Sequence, residues 1–405
     1  MRPFLMAGVL CLLCSTRAAA QGWTAPDPAN EPWKDAKLNV GPFFMAPSFE
    51  VKNVGIDNNV FRDPAFPRQD LTATMAVASI FGAHVKTFSL AVTQDNEYIW
   101  YRRYTSERSI DGGLRAIVQL RLAPIRPWIT WSKSNSHDRS GYEIDARAGH
   151  QTPALEAGSD FNFGMRTGAT VSFSQRSLTY SEGEFFDNVD LKAALDNRTT
   201  FAHADGHWKY TEFTDLEGGV EYSRMRFVTN SPRDADTISY FGGFTSHGDA
   251  AVVGSLTLGY KSQKHSNPGV PDFRGLVASG SLTTIVKDRV RFAFVGDRDI
   301  NYSYEDQFPF YVQQGTGVTV TLRLSTRFDI IASAKGEWLN YSQVIGDPTA
   351  PRTDRATVAG IGFLYTMGGS GSHFGLTFEQ ADRVSPIPRK NYSNGRVLSN
   401  IKFSF

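Results

Sequence analysis

The residues best suited to chemistry lie in the pentapeptide HADGH, in which His203, Asp205 and His207 are spaced two apart. Two imidazoles and a carboxylate are good ligands for zinc or iron, and the same groups serve as acid and base in catalysis. Alternate side chains on an extended strand are about 6.6 Å apart and point in parallel, so one metal ion would need a bulge or a second strand. We therefore expect solvated side chains here, with a metal or catalytic site as the alternative.

Charged side chains also alternate with apolar ones along several extended segments. In RFDIIASAKGEWL, Phe328, Ile330 and Trp338 share one face, while Asp329 and Glu337 share the other. This alternation predicts a strand with an apolar side and a watery side. Two interpretations of the watery side stay open: a transverse field that filters polar solutes, or mutual neutralisation that keeps an interior rigid and hydrated. The charges that this register places there are Arg115, Arg121, Arg291, Arg323, Lys335, Glu221, Asp297, Asp329 and Glu337.

The same period of two recurs along the chain and predicts about 18 strands, with 16 as the fallback. Each is roughly ten residues long, which is the length that crosses a bilayer when the strand is tilted. The first predicted strand begins near Phe43 and the last contains Phe405. An even number of strands returns the chain to the side from which it entered, as in bacterial single-chain barrels. No comparable stretch has helical spacing of its apolar residues.

The connectors between the predicted strands alternate between short and long. This rhythm is typical of an up-and-down barrel with tight turns at one rim and loops at the other. The short breaks are residues 247–250, 286–289, 324–327 and 367–372, and the long ones are 55–69, 134–153, 264–271, 346–352 and 384–394.

We predict an all-β fold, a transmembrane antiparallel up-and-down β-barrel, rather than a soluble β-sandwich. A sandwich has shorter strands and a charged outer face, whereas a membrane barrel turns its charges inward and places aromatic residues near strand ends. The predicted girdle residues are Tyr101, Trp128, Trp131, Trp208, Tyr222, Tyr260, Tyr302, Trp338, Tyr341 and Tyr365.

The last residues, RVLSNIKFSF, continue the alternation to the end of the printed sequence. An open sheet edge in hydrocarbon leaves backbone donors and acceptors without partners, so the last strand must seal against the first. Phe403 and Phe405 are therefore expected in the closing strand. They are also the expected signal for the outer-membrane barrel assembly machinery, which reads a C-terminal aromatic residue.

The beginning of the sequence predicts export. Arg2 precedes an apolar run over residues 4–13, and the small residues Ala18 and Ala20 precede Gln21. This pattern is typical of a secretory signal peptide, and its apolar run is too short to span a membrane. We expect a signal peptide over residues 1–20, a periplasmic segment over 21–40 and a barrel over 41–405.

Composition excludes several classes of function. Removing Arg2 and Arg17 with the signal peptide leaves 40 basic residues against 41 acidic ones, and so argues against nucleic acid as a partner. Cys11 and Cys14 are both within the signal peptide, so the exported chain has no thiol for a disulfide or a metal. Nucleophile, phosphate-loop and dinucleotide motifs are lacking, and we expect neither a cofactor nor an enzyme.

The segment from Gly41 to Arg62, GPFFMAPSFEVKNVGIDNNVFR, resembles the opening of the beta-barrel porin type 2 family. The resemblance rests on Gly41–Phe43, on Pro47 and Ser48, and on Asp57–Phe61 at the exit of the first strand. These are bacterial outer-membrane barrels often associated with exopolysaccharide gene clusters. The resemblance implies an integral outer-membrane barrel that serves as a porin or as a conduit for polysaccharide, and it implies no catalytic residues.

The predicted function is passive, porin-like diffusion of small polar solutes or sugars across the outer membrane of a Gram-negative bacterium. Loops such as Ser134 to Pro153 are expected to fold into the barrel or to bind ligands. One alternative is a component of exopolysaccharide export, with polysaccharide as partner. The other is a lipid-modifying hydrolase that uses His203 and His207. The oligomeric state stays open.

Overall fold

The computed structural model describes Ala36 and residues 38–139, 141–348, 351–368 and 372–404. In this part of the chain, 18 long antiparallel strands form one closed ring in which each strand pairs with its neighbours in sequence. The predicted barrel and its strand number are confirmed. The predicted signal peptide, the start of the periplasmic segment and Phe405 lie outside the described residues.

The strands have the following bounds. They are β1 (Leu38–Val40), β2 (Phe43–Asp57), β3 (Asp70–Val85), β4 (Phe88–Tyr101), β5 (Ser109–Leu120), β6 (Ile125–Ser136), β7 (His150–Asn162), β8 (Thr167–Tyr180), β9 (Phe185–Phe186), β10 (Val189–Asp190), β11 (Asn197–Lys209), β12 (Thr214–Phe227), β13 (Ala235–Ser246), β14 (Val252–His265), β15 (Phe273–Val286), β16 (Val290–Tyr302), β17 (Phe310–Arg323), β18 (Phe328–Ser342), β19 (Thr353–Met367), β20 (Ser372–Val384) and β21 (Tyr392–Ser404). β9 and β10 form a small separate hairpin, and β1 pairs with the start of β2.

Helical structure in the described residues is confined to the connections. One α-helix, α1 (Leu191–Leu195), follows Asp190, whose side chain accepts hydrogen bonds from the backbone N–H groups of Lys192 and Ala193 as an N-cap. Three single 3₁₀ turns occupy Thr105–Glu107, Ser231–Arg233 and Pro388–Lys390. None of the helices in this part of the chain is long and apolar enough to cross a membrane.

The ring closes between the first and last long strands. β2 pairs with β21 from Ser48 opposite Ser404 to Asp57 opposite Arg396, with a register shift at the β-bulge after Val51. Phe403 lies opposite Phe49 in this seam, as the sequence predicts. Every long strand thereby has a neighbour on both sides, which satisfies the backbone groups that a bilayer leaves without water.

The seam is fixed at its extracellular end by the Asp57–Phe61 segment on which the family resemblance partly rests. The Asn394 side-chain amide donates to Asp57 Oδ1 at 2.6 Å and to the Asn59 carbonyl at 2.9 Å. The Gly395 N–H donates to Asn58 Oδ1 at 2.8 Å. These polar residues therefore tie the first strand to the last.

Below the seam, β1 covers the part of β2 that β21 does not reach. Val40 lies opposite Phe43 and Leu38 opposite Met45, through a turn at Gly41, whose φ of 59° suits glycine. Ala36 packs inside the periplasmic end of the barrel against the inward-facing Phe44. The end of the predicted periplasmic segment thus joins the barrel sheet.

Side-chain polarity is reversed relative to a soluble protein. The buried, inward-facing positions of the strands carry small polar side chains, among them Thr72, Thr74, Ser172, Ser174, Thr319 and Thr321. The outward-facing positions expose large apolar ones, among them Ile110, Phe173, Leu258, Leu276, Ile361 and Phe378. A continuous apolar exterior around a polar interior is the pattern of a barrel in lipid.

The two rims differ as predicted. Short turns join β3 to β4 and β15 to β16, with Lys86, Lys287 and Asp288 in positive φ. The opposite rim carries the long connections, including that between β8 and β11, which holds the β9–β10 hairpin and α1. Because outer-membrane barrels have short periplasmic turns and longer extracellular loops, we call the rim with the turns periplasmic and the rim with the loops extracellular.

The extracellular end of β16 departs from the regular wall. Its ladder with β15 stops where Ala278 pairs with Arg298, and beyond that point β16 bends inward. Tyr302 consequently packs edge-on against the inward-facing Phe227, with ring centroids 5.0 Å apart. Its hydroxyl accepts a hydrogen bond from Gln263 at 2.9 Å.

The predicted aromatic girdle is therefore partly wrong. Tyr302 is held inside by this bend, and Tyr101, Trp128 and Tyr341 are buried rather than lipid-facing. The alternation of residues assigns each side chain to one face of a strand. It does not show where a strand separates from its neighbour or where a loop covers the strand. Trp131, Trp208, Tyr222, Tyr260 and Tyr365 are exposed on the outer face, as the prediction requires.

Replacing Asn394 with alanine tests the seam. The substitution removes two buried hydrogen bonds, although Asp57 keeps the Asn59 N–H as a donor and the Asn59 carbonyl keeps the Arg62 N–H. At the usual net value of a hydrogen bond, the loss should lower the free energy of unfolding by about 1–3 kcal/mol. The measurement is urea unfolding of the barrel in detergent or vesicles. Asn340→Ala, which removes only an exposed hydrogen bond donated by Thr353, should stay within about 0.5 kcal/mol of the parent. Equal stability of the two variants would contradict this role of the seam.

Candidate functional site

The loop between β6 and β7, which we call the inward loop, enters the barrel. Its Tyr142 hydroxyl lies 3.0 Å from Nζ of Lys335, which is the middle residue of the 15-residue β18. The Tyr142 ring packs with the buried Tyr311 and Leu339 on the barrel wall. The inward loop therefore reaches about half the height of the barrel and narrows it there.

The part of the wall that Tyr142 contacts carries a compact group of charges, which we call the wall triad: Lys335, Glu337 and Asp297. Lys335 Nζ lies 2.7 Å from Glu337 Oε1. The Gln313 amide bridges the two carboxylates, with distances of 3.1 Å to Glu337 Oε2 and 3.4 Å to Asp297 Oδ2. Asp297 on β16 and Glu337 on β18 lie in one register row across Gly315 of β17, and Lys335 lies two residues before Glu337 on the same strand.

A glycine makes this approach of two carboxylates sterically feasible. Gly315 lies opposite both Asp297 and Glu337. A Cβ at Gly315 would come within 2.4 Å of Asp297 Oδ1 and 2.6 Å of Glu337 Oε1. Any larger residue here would push the two carboxylates apart, so this glycine is required by the wall triad.

Above the wall triad, the extracellular loops and the adjoining ends of β19 and β20 meet in a buried ionic network, which we call the mouth network. Asp354 accepts from Arg352 and from Arg383, each at 2.6 Å. Arg383 also pairs at 2.6 Å with Asp145 of the inward loop. The fully buried Asp354 and nearly buried arginines are stable only because they pair with one another.

The mouth network continues to the loop between β16 and β17. Arg352 pairs with Glu305 at 2.9 Å, and Lys390 contacts both Glu305 and the Tyr304 hydroxyl. The Tyr304 hydroxyl donates to Asp187 of the β9–β10 hairpin at 2.8 Å. Connections distant in sequence are thus linked across the mouth.

Glu143 is a second acid of the inward loop, beside Asp145, and it contacts the loop between β16 and β17. Its carboxylate accepts from Ser303 Oγ at 2.5 Å and from the Tyr304 N–H at 3.3 Å. Burial raises the pKa of Glu143 to about 7, and this outweighs the opposing effects of the Ser303 hydrogen bond and of Lys390. The pKa of Glu305 is instead lowered, because its pairing with Lys390 and Arg352 outweighs the effect of burial.

The nine predicted inward charges do not form one site. Lys335, Glu337 and Asp297 come together in the wall triad. Arg323 and Asp329 lie 3.6 Å apart across the β17–β18 hairpin at the periplasmic rim, and Arg291 also lies towards that rim. Glu221 faces His203 from β12, four to six strands away from the wall triad.

The two predicted basic residues of β5 are separate from the wall triad. Arg115 projects from β5 into the lumen and is exposed. Arg121 follows the end of β5 and lies in the turn before β6, so its predicted place on the wall itself is wrong. The strand ends one residue earlier than its alternation implies, because Ala123 and Pro124 begin the turn.

The HADGH residues lie inward on β11, as their alternation predicts. His203 Nε2 is 3.0 Å from Asp205 Oδ1, and its Nδ1 is 3.9 Å from Glu221 Oε2. His207 leans over Gly168 on the neighbouring strand instead of converging with His203. Among the described residues, no group of three or more histidines and carboxylates is placed to hold a metal ion.

A cleft lies between the bent end of β16 and the wall formed by β11–β14. It is lined by polar side chains together with Phe201 and Ile300. Lys261, one of its lining residues, is held by both carboxylate oxygens of Asp299 at 2.5 and 2.8 Å. The cleft exists only because β16 bends.

Sequence reasoning missed the mouth network and Tyr142. Tyr142 and Lys335 are 193 residues apart, and Asp145 and Arg383 are 238 apart. No local pattern encodes such pairs. The sequence did contain one useful signal, the length of the loop from Ser134 to Pro153, from which we predicted that this loop folds into the barrel or binds ligands.

Comparison with solved structures shows the same fold in outer-membrane barrels of Pseudomonas aeruginosa. OccK2 (OpdF) is 10% identical over 89% of this chain and 98% of its own, with a TM-score of 0.54. OpdO is 9% identical over 89% and 97%, with a TM-score of 0.51. OpdK, solved with vanillate, is 7% identical over 89% and 99%, with a TM-score of 0.50. At this identity the likeness shows the fold alone.

No family model matches the sequence, and neither does any curated protein. The resemblance to the beta-barrel porin type 2 family therefore stays a prediction.

The pKa of Glu143 predicts a pH-dependent inward loop. A carboxyl whose pKa is raised in the folded state stabilises that state below its ordinary pKa of 4.5, and the contribution is lost as the pH rises through about 7. The difference corresponds to about 3 kcal/mol. Hydrogen exchange of residues 141–149, corrected for intrinsic rates, should therefore be slower at pH 5 than at pH 8.

Glu143→Gln should remove most of this pH dependence, because the amide has no proton to lose. Glu182→Gln is the control, since Glu182 has 92% of its side chain exposed on the same rim. An unchanged pH profile in Glu143→Gln would show that other groups govern the loop.

Proposed function

We propose that this chain is an outer-membrane channel through which small polar solutes diffuse passively. The observation that carries the proposal is the meeting of Tyr142 with Lys335 at half the height of a barrel that is apolar outside and polar inside. A loop that narrows a charged lumen is the physical basis of selection by size and charge. The fold shared with OccK2 supports the same conclusion.

The proposed location is the outer membrane of a Gram-negative bacterium, with lipid around the barrel. The exposed apolar exterior supports it, as does the signal peptide predicted over residues 1–20. Insertion by the barrel assembly machinery, through Phe403 and Phe405, is part of this proposal.

The proposed solutes are small and polar, because Tyr142 narrows the lumen and the wall triad places charged groups at the same height. OpdK has been solved with vanillate, a small aromatic carboxylate. We infer a similar size class here, and the mixed charges of Lys335, Glu337 and Asp297 suit solutes that carry both donors and acceptors.

The structure adds no support for the two alternative functions, polysaccharide export and lipid hydrolysis. Export of polysaccharide rests on the family resemblance. Hydrolysis would need an imidazole nitrogen that is directed at a nucleophile or a metal, whereas both ring nitrogens of His203 face carboxylates.

Conductance in planar bilayers tests the channel. Tyr142→Ala should give a larger single-channel conductance than the parent, because the ring that fills the narrowing is gone. Tyr365→Ala, which removes an exposed ring from the outer face, should leave the conductance unchanged. A parent protein that gives no stable current would contradict the proposed channel.

Reversal potentials in a salt gradient test the wall triad with opposite signs. Lys335→Gln removes a positive charge from the narrowing and should shift selectivity towards cations. Asp297→Asn removes a negative charge and should shift it towards anions. Shifts of the same sign, or none in either variant, would show that these residues do not control permeation.

A further inference from the structure

Six basic residues project outward from neighbouring strands in the extracellular half of the barrel. We call this surface the basic sector. It consists of Arg198 on β11, Arg224 and Arg226 on β12, Lys264 on β14, Arg274 on β15 and Arg298 on β16. They alternate with inward-facing residues such as Thr199, Met225 and Phe273, which are buried.

The strand geometry places the basic sector at the level of lipid headgroups. Trp208 and Arg198 both face outward on β11 and are ten residues apart. At about 3.4 Å per residue and ~40° of tilt, this separation spans roughly 25 Å, the height of the apolar band of a membrane barrel. With the aromatic Trp208 at the periplasmic interface, Arg198 therefore lies at the opposite one, in the outer leaflet.

The charges of the basic sector are only partly compensated within the described residues. Arg198 lies directly opposite Arg226, a like-charge pair that is unfavourable without an anion. Asp236 pairs with Arg226 at 2.8 Å and with Arg224 at 3.4 Å. In this part of the chain, no carboxylate lies within ion-pair distance of Arg198, Lys264 or Arg274, and all three are exposed.

Elsewhere in the described barrel, outward cations at this level are single residues, such as Lys133 on β6 and Arg355 on β19. The second residues of β11 and β15 are Arg198 and Arg274, both facing outward at the extracellular rim. The corresponding residues of β3, β5 and β7 are Leu71, Ile110 and Gln151. The basic residues are therefore concentrated on one sector of the rim rather than distributed around it.

We propose that the basic sector binds the phosphate groups of a phosphorylated glycolipid of the outer leaflet. Guanidinium groups match phosphate oxygens in a bidentate manner, and the ammonium of Lys264 adds a point charge. Below them, the exposed Tyr222, Tyr240 and Tyr260 form a surface for the sugar-proximal part of the acyl chains. This inference rests on the proposed membrane location but not on conduction through the lumen.

The geometry also explains why the arginines are tolerated on the outer face. Arg226 donates to the carbonyls of Met225 and Ala235, and Arg298 Nε donates to the Leu276 carbonyl at 2.9 Å. These two side chains are anchored to the wall, whereas the head groups of Arg198, Lys264 and Arg274 have no hydrogen-bond or ion-pair partner among the described residues. The free cations are the ones to remove in a test, because their loss does not disturb the wall.

The test measures the binding of purified bis-phosphorylated lipid A to the detergent-solubilised barrel by native mass spectrometry. Arg198→Gln/Lys264→Gln/Arg274→Gln should weaken binding roughly 100-fold, since each cation near an anionic surface contributes about a factor of five. The parent should also bind dephosphorylated lipid A and phosphatidylglycerol more weakly than the phosphorylated glycolipid. Binding by the parent should fall as the salt concentration rises.

The matched control removes the same charge elsewhere: Lys133→Gln/Lys209→Gln/Arg289→Gln, all exposed and outside the basic sector. It should bind like the parent. Equal weakening by both triple variants overturns the proposal, as does equal affinity for dephosphorylated lipid A or tighter binding of phosphatidylglycerol.

Single-channel conductance of the same preparations separates this inference from the proposed function. The basic-sector variant should conduct like the parent, because its substitutions face lipid. A parent that conducts, paired with a variant whose lipid binding is unchanged, overturns the basic sector alone. A parent that binds lipid A through these residues but carries no current overturns the channel alone.

Discussion

The hydrogen bonding of the peptide backbone in hydrocarbon is the constraint on which this structure depends. Each N–H and C=O group within the bilayer must find a partner in the protein, since no water is available there. The pairing of β2 with β21 meets this requirement, and Asp57, Asn59 and Asn394 fix its extracellular end. β1 pairs with the periplasmic end of β2, which β21 does not reach, and so provides hydrogen-bond partners there as well. Without closure, neither the lumen nor the sites within it would exist.

Closure in turn allows the interior to be polar. Because the ring separates lipid from lumen, the inward positions can hold Lys335, Glu337 and Asp297 near one another at mid-height. Buried ions are favourable only with partners, and in the mouth network these partners come from the loops and from the extracellular ends of β19 and β20. The strands thus determine where the lumen is, whereas the loops determine how much of it is left open.

The strands were predictable from the sequence because a period of two is a local signal. The inward positions of Lys335, Asp297 and Glu337 follow from it, as does the outward position of Leu258. The contact between Tyr142 and Lys335 did not follow, since it depends on how a loop folds 193 residues away. The bend of β16 and the burial of Tyr302 were missed for a similar reason, because alternation does not reveal the end of a ladder. The α-helix after Asp190 is too short to show periodicity, although its N-cap residue was a usable signal.

The early end of the ladder between β15 and β16 makes the stiffness of the wall uneven. Elsewhere the interstrand bonds share any stress around the circumference, but beyond Ala278 and Arg298 that sharing stops. The Arg298 side chain replaces one missing link through the Leu276 carbonyl. Ring deformations are concentrated where such links are fewest. This junction is therefore more compliant than the paired part of the same hairpin, and lateral pressure in the bilayer acts on the shape of the lumen through it.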